Sequence, residues 1–276
     1  MTISARARLA GVMGWPVAHS LSPRLHNYWL DAYGIDGAYV PLPVAPEHFA
    51  EALRALGHLS FAGVNVTVPH KEAAFAACDE VDAAAKRIGA VNMISFAGGK
   101  ILGRNTDGYG FRESLRAGAP SWSGKGRKAV VLGAGGGARA VVAALRDEGA
   151  EVTVLNRTRA RAEALARDIG GIAGDWAARG AALADAALLV NTTVLGMQGK
   201  NALDIDLAAL PRSALVADIV YVPLETPLLA AARRRGNVAI DGLGMLLHQA
   251  RPAFAAWFGR EPEVTPALRD HVLATT

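Results

Sequence analysis

Short apolar runs alternate along the chain with segments whose apolar residues recur every three or four positions, the pattern of α/β layers with largely parallel sheets. In the first part, strands are predicted near Leu9 to Trp15, Ala38 to Val44 and Phe61 to Val68, separated by helices near Pro23 to Tyr33 and Glu47 to Leu56. A helical stretch around Val81 to Ile88 leads into strands at Val91 to Phe96 and Ile101 to Arg104, joined through the hairpin-type turn Gly98-Gly99. A connecting helix over Phe111 to Arg116 and a turn-rich stretch from Gly118 to Gly126, where the chain passes to a new unit, come next. The second set of strands is predicted at Ala129 to Leu132, Glu151 to Leu155, Ala187 to Asn191, Leu215 to Ile219 and Val238 to Ile240. Helices between these strands complete a doubly wound pattern. The last helices, Met245 to Trp257 and Ala267 to Leu273, are expected to pack back on the first domain.

Three helix starts stand out, because Ser22-Pro23, Thr226-Pro227 and Thr265-Pro266 each place a hydroxyl before a proline at the first helical position. With these as registers the chain divides into an α/β domain over residues 1–110, joined by helices from 246–276, and a Rossmann-type domain over 111–245.

Composition narrows the class. With 276 residues, 51% hydrophobic and 20% charged, the chain is long enough for two domains of a globular enzyme. A formal charge of +4 gives no ground for nucleic-acid binding but suits an anionic ligand. The one basic run, Arg233 to Arg235, precedes Gly236 and reads as the last turn of a helix. A single cysteine, Cys78, excludes an internal disulfide and a multi-cysteine zinc site, and His19 and His70 have no metal-type spacing. No metal is expected. Met1 to Leu9 lacks a secretory pattern and no apolar run is long enough to span a bilayer, so a cytoplasmic protein without a membrane partner is expected.

The sharpest motif is Lys128 to Ala138, KAVVLGAGGGA, in which Gly133, Gly135 and Ala138 match the dinucleotide fingerprint between a strand and a helix. Gly133 permits the tight turn, while the loop of Gly133, Ala134, Gly135, Gly136 and Gly137 lets the backbone and the helix N-terminus approach a pyrophosphate. At the end of the next strand, where an NAD site carries a carboxylate for the ribose 2′-hydroxyl, this chain has Asn156-Arg157-Thr158. A guanidinium there binds a 2′-phosphate and stacks on adenine, so NADP is the expected cofactor. Arg159 and Arg161 follow at the start of a helix, where a solvated surface role is an equal alternative, and Arg161 is retained as a phosphate candidate.

The first domain holds four segments dense in hydrogen-bonding groups at predicted strand ends, where open α/β sheets bind ligands. They run from Gly14 through Ser20 and Ser22 to Pro23, from Asn65 through Thr67 and Pro69 to Lys71, from Gly89 to Asn92, and from Gly103 through Asn105 and Thr106 to Asp107. In this order, and followed by GAGGGARA and NRT, they resemble the shikimate dehydrogenase family from Gly14 to Trp257. Asn191-Thr192-Thr193, Asp218 to Tyr221 and Asp241-Gly242 to Met245 with Gln249 extend the resemblance.

The resemblance implies reversible NADPH-dependent reduction of 3-dehydroshikimate to shikimate, a step toward chorismate and the aromatic amino acids. It assigns Lys71 and Asp107 as the catalytic pair, with Lys71 acting as general acid–base or as an electrostatic partner of the developing alkoxide, and Asp107 holding its ammonium. It places the substrate carboxylate with Ser20, Ser22 and Tyr221, and the ring hydroxyls with Thr67, Asn92, Asp107 and Gln249. Ser22 has a second reading as a helix cap. Ile219, Gly242 and Met245 match positions around the nicotinamide, with core packing as the alternative. The family pattern is broken at Met93, where threonine is common, and by Pro252 in the Gln249 helix. Two further readings stay open at this level: a quinate/shikimate dehydrogenase using NAD or NADP, and a non-catalytic NADPH-binding protein. A small-molecule substrate and a monomer or homodimer complete the expectation.

Overall fold

The computed structural model describes residues 3–274. The chain folds as two compact units, Met1–Thr106 with Gln249–Thr276, and Asp107–His248.

The first unit carries a six-stranded mixed sheet. Its elements are β1 (Arg8–Gly14), α1 (Ser22–Tyr33), β2 (Gly37–Pro43), α2 (Phe49–His58), β3 (Gly63–Val66), α3 (Lys71–Ala77), β4 (Glu80–Val81), α4 (Ala83–Ile88), β5 (Met93–Ala97) and β6 (Lys100–Arg104). The strand order is β2-β1-β3-β5-β6-β4. Strands β1, β2 and β3 are parallel, whereas β5 runs antiparallel to both β3 and β6. The hairpin expected at Gly98-Gly99 forms, both glycines taking positive φ values of 59° and 76° as a tight turn between twisted strands requires. This reversal brings the carboxyl ends of β1, β3 and β6 and the amino end of β5 to one edge of the sheet. All four polar segments singled out in the sequence leave from that edge.

Three expectations fail in this unit. Val81, read as the start of a helical stretch, belongs to the two-residue strand β4, paired with β6. The pattern showed no helix at residues 71–77, because a seven-residue helix with one buried side chain, Ala74, has too little periodicity to be seen. Ser22 is not a helix cap: Leu21 holds the N-cap position without a side-chain bond, and Ser22 is the first helical residue. The capping contact comes from Ser20, whose Oγ accepts the Ser22 amide at 3.3 Å.

The second unit contains α5 (Asp107–Gly118), β7 (Lys128–Leu132), α6 (Gly136–Asp147), β8 (Glu151–Leu155), α7 (Arg159–Ile169), β9 (Ile172–Gly174), β10 (Leu188–Asn191), β11 (Leu215–Asp218), α8 (Pro227–Arg235), β12 (Val238–Ile240) and α9 (Gly242–Phe258). Its sheet is wholly parallel with the order β12-β11-β10-β7-β8-β9, so the doubly wound reading holds. The edge strand β9 lay outside the pattern; it has three residues, follows Gly170-Gly171 and exposes Ile172. Nor is every connection helical. Between β9 and β10 the chain makes two short 3-10 turns, and after β10 Leu203, Leu207 and Leu210 pack against Leu189 and Val216 where a crossover helix would lie. Thr226 and Thr265 cap as expected, accepting the amides of Leu229 at 3.3 Å and Leu268 at 3.2 Å. Arg233 to Arg235 form the last turn of α8 before Gly236 at φ 86°, and Pro252 sits inside a continuous α9.

The division between the units falls within α9, and the chain ends with α10 (Pro266–Leu273), which returns to the first unit as expected. There Arg24 Nη2 donates to the His271 carbonyl at 2.7 Å and Trp29 Nε1 to that of Glu263 at 2.9 Å. Trp257 donates its indole N–H to the Ile94 carbonyl at 3.1 Å. Only glycine fits beneath it at position 63, since a Cβ there would lie 2.0 Å from that indole nitrogen and 2.2 Å from Ile94 O.

Candidate active site

The dinucleotide fingerprint lies between β7 and α6. Gly133 has φ 108°, a left-handed conformation open to glycine, and a Cβ there would come within 2.6 Å of Thr192 Oγ1. Gly135 is the N-cap of α6 in an extended conformation, without a side-chain cap bond, and Gly136 and Gly137 form the first turn. The helix starts two residues earlier than its apolar pattern, so its leading amides belong to the glycines themselves. A Cβ on Gly135 or Gly136 would meet no protein atom within 4 Å, whereas one on Gly137 would lie 2.9 Å from the Ile219 side chain. At Gly242 a Cβ would fall 2.4 Å from Ile219 O. Gly137, Ile219 and Gly242 therefore meet at van der Waals distance, with Met245 one turn further along α9. A backbone cradle open on the side of Gly135 and Gly136, beside an uncapped helix N-terminus, fits a pyrophosphate.

The next strand end supplies cations. Asn156 Nδ2 donates to Thr158 O at 2.9 Å and folds the loop after β8, from which Arg157 projects, exposed. Arg159 is engaged by Glu163 at 2.8 Å in an i,i+4 pair. Arg157 and Arg161 enter no ion pair among the described residues. Arg157 and Arg161 therefore present exposed guanidinium groups at this strand end, while Arg159 lies against Glu163, four residues along one helix face.

The same unit holds a buried carboxylate, Asp218, which the resemblance included without assigning it a role. Asp218, at the end of β11, accepts from Asn191 Nδ2 and the Val220 amide, each at 3.0 Å, and from Thr226 Oγ1 at 2.8 Å. Its signal was a polar residue closing an apolar run. Burial raises its carboxyl to about 6, against the three donors, which lower it. The native protein thus keeps a proton that the unfolded chain releases near pH 4, and stability falls as pH rises through the window from about 4 to 6. Asp218→Asn is expected to remove that component. Its stability relative to the parent should improve by on the order of 3 kcal/mol between about pH 4 and pH 7, measured by urea unfolding. A pH-independent difference would mean an unperturbed carboxyl.

In the first unit the polar segments converge on Asn92. Its Oδ1 accepts the Thr106 amide at 2.8 Å, and its Nδ2 donates to Thr106 Oγ1 at 3.1 Å and Gln249 Oε1 at 3.2 Å. Thr106 Oγ1 donates to Gln249 O at 2.9 Å, so Thr106, to which the sequence assigned no role, joins two predicted ligand residues. Asn92, Thr106 and Gln249 are buried. Ser20 and Thr67 are half-buried and Ser22 is buried; a Cβ on Gly14 would lie 2.5 Å from the Thr67 methyl, which sets the β1 and β3 loops side by side.

Lys71 is the half-buried first residue of α3, correcting the expectation of an irregular strand end. Its position is held by the backbone and by its neighbour: Val91 N donates to Lys71 O at 2.9 Å, and His70 contacts Val44 O through Nε2 at 2.7 Å and stacks on Phe49 at 4.6 Å. His70 is structural in this respect. In the second unit Asp107 is the buried first residue of α5, and Tyr221 follows β11 with its phenol raised by burial. Among the described residues no group of His, Cys, Asp or Glu could hold a metal ion, and no helix is long and apolar enough to cross a membrane.

Known proteins resemble this chain over 99% of its length. Residues 12–94 match the shikimate dehydrogenase substrate binding domain, 118–194 the shikimate / quinate 5-dehydrogenase family, and 242–269 the shikimate 5'-dehydrogenase C-terminal domain. The chain is 60% identical to shikimate dehydrogenase (NADP(+)) of Acidiphilium cryptum, over 99% of each chain. It is 58% identical to that of Paramagnetospirillum magneticum, over 99% of this chain and 100% of the relative. The crystal structure of shikimate 5-dehydrogenase from Thermus thermophilus in complex with NADP(H) and shikimate superposes with a TM-score of 0.87 at 40% identity, covering 96% of this chain and 98% of that one. A glycine cradle followed by free arginines in one unit, an amide and hydroxyl cluster in the other, and full-length identity above half together carry one conclusion: the chain belongs to the shikimate dehydrogenase family.

Proposed function

We infer that this chain is an NADP-dependent oxidoreductase that interconverts 3-dehydroshikimate and shikimate, on the route to chorismate and the aromatic amino acids. The observation that carries it is the 60% identity, over 99% of both chains, to a shikimate dehydrogenase (NADP(+)). We assign its place to the cytoplasm, as a monomer or homodimer.

NADPH supplies the hydride when bound. Arg157 and Arg161 hold its 2′-phosphate with Asn156 and Thr158, and the loop Gly133 to Gly137 with the start of α6 receives the pyrophosphate. Ile219, Gly242 and Met245 offer an apolar wall to the nicotinamide. Hydroxyls of Ser20 and Ser22 with the Tyr221 phenol bind the substrate carboxylate, and Thr67, Asn92, Asp107 and Gln249 orient the ring hydroxyls. Lys71 and Asp107 form the catalytic pair: Nζ of Lys71 gives a proton to the carbonyl oxygen as it becomes a hydroxyl, and takes it back in the reverse direction.

The test is reduced-cofactor absorbance with purified protein, offering shikimate or quinate in turn, each with NADP or NAD. Rapid reduction with shikimate and NADP is expected to dominate the four combinations. Faster reduction of NAD with quinate, or silence in all four, would overturn the reading.

A further inference from the structure

Behind the amide cluster of the first unit lies a second hydrogen-bonded layer to which none of the roles above extends. Tyr39 on β2 is 1% exposed, and its phenol donates to Asn65 Oδ1 at 2.7 Å. With Oδ1 so occupied, the amide of Asn65 is turned, and its Nδ2 donates to the Asn92 carbonyl at 3.1 Å. That carbonyl also accepts Val66 N at 2.9 Å, while Asn92 N donates to Arg104 O at 3.1 Å. The backbone of Asn92 is thereby held from β3 on one side and β6 on the other, and its side chain reaches Thr106 and Gln249.

Tyr39 is itself fixed by two residues of α1. Asn27 on α1 clamps its backbone, donating Nδ2 to Tyr39 O at 2.9 Å and accepting Tyr39 N at 3.0 Å. The His26 ring stacks on the phenol ring at 4.0 Å with parallel planes. Burial pushes the His26 imidazole down to about 3, so it stacks as a neutral ring. Burial likewise keeps the phenol protonated, hence a donor, with the Ser22 side chain as its further polar neighbour.

We propose that Tyr39 is a positioning residue of the polyol site: by donating to Asn65 it fixes which end of that amide faces Asn92, and so sets the Asn92–Thr106–Gln249 cluster for the ring hydroxyls of the substrate. An amide has a donor end and an acceptor end of nearly equal shape, and only its partners choose between them. Without the phenol hydroxyl, Asn65 Oδ1 loses the donor that fixes it, and the amide can turn its oxygen toward the Asn92 carbonyl and repel it. This displaces the cluster while leaving the dinucleotide unit untouched.

The inference rests on the functional reading above, and steady-state kinetics separates the two. Tyr39→Phe is expected to raise KM for shikimate roughly 5- to 50-fold, the effect of one buried hydrogen bond, with kcat and KM for NADP within about twofold of the parent. Asn27→Ala, which loosens the same strand from α1 but spares the Tyr39–Asn65 bond, is expected to lower Tm without that KM change. The double variant Tyr39→Phe with Asn65→Leu makes both members of the bond apolar at similar shape and leaves the Asn92 carbonyl its bond from Val66 N; it is expected to stay folded and still show the raised KM. A shikimate KM within twofold of the parent in either folded Tyr39 variant overturns the proposal. So does an equal rise in the Asn27 variant, which would mark general loosening. A parent protein silent with shikimate and NADP overturns the functional reading and this inference together, whereas an active parent beside an unaffected Tyr39→Phe overturns this inference alone.

Discussion

Exchange of Lys71 for alanine is expected to lower turnover by roughly 10² to 10⁴-fold, the usual contribution of a positioned proton donor, with the fold retained. The fold should survive because the backbone and a neighbouring residue hold this turn. Alanine is the best helix former at the start of α3, the Val91 amide bonds the carbonyl of residue 71, and the His70 contacts to Val44 and Phe49 anchor the turn independently. The measurement is kcat at saturating shikimate and NADP, with Tm as the control for folding. Turnover within tenfold of the parent would remove Lys71 from the chemistry. Added primary amines should restore part of the lost rate if proton transfer is what the side chain provides, because a small amine can carry a proton where the ammonium stood. A purely electrostatic role predicts no such rescue, since a mobile cation lacks the fixed orientation on which electrostatic stabilisation depends.

Loss of Arg157 should be felt in the other substrate. Arg157→Ala is expected to raise KM for NADP roughly 10- to 100-fold while leaving that for NAD nearly unchanged, because the deleted charge-assisted bonds go to the 2′-phosphate. Arg159 pairs with Glu163 at 2.8 Å on the exposed face of α7. Arg161 remains, so the preference for NADP should be weakened and not inverted, and Arg161→Ala in the same background should bring the two cofactors closer to parity. Initial rates at fixed shikimate over a range of each cofactor decide it. Equal losses for NADP and NAD would place Arg157 at the adenine or the pyrophosphate instead of the 2′-phosphate.

The elements read most accurately in advance were those whose cause is local. Thr226 and Thr265 cap their helices as a hydroxyl before proline predicts, and the hairpin at Gly98-Gly99 needs only two residues of positive φ. Ser22 carries the same Ser-Pro signature and fails, because the backbone at Leu21 is already helical and Ser20 meets the Ser22 amide. The short helix α3 and the edge strand β9 escaped notice since neither buries enough side chains to leave a period. Between β10 and β11 the reverse holds: a helix expected from the alternation is absent, and three leucines cover the sheet in irregular chain.

The conformation of the glycine loop and the start of α6 were legible for the same reason: they act through backbone conformation, which neighbouring residues specify. At the next strand end, the pairing of Arg159 depended on which side chain faced it. The substrate half obeys another rule. Tyr39 meets Asn65 across 26 positions, Asn65 meets Asn92 across 27, and Asn92 meets Gln249 across 157. No periodicity or motif ranks such partners, because a buried amide takes its orientation from whichever donor the packed sheet brings within about 3 Å. The polar residues at the strand ends were visible one by one along the chain, while their order as a hydrogen-bonded layer came from the antiparallel turn of β5 and the return of α9, which put them at one edge.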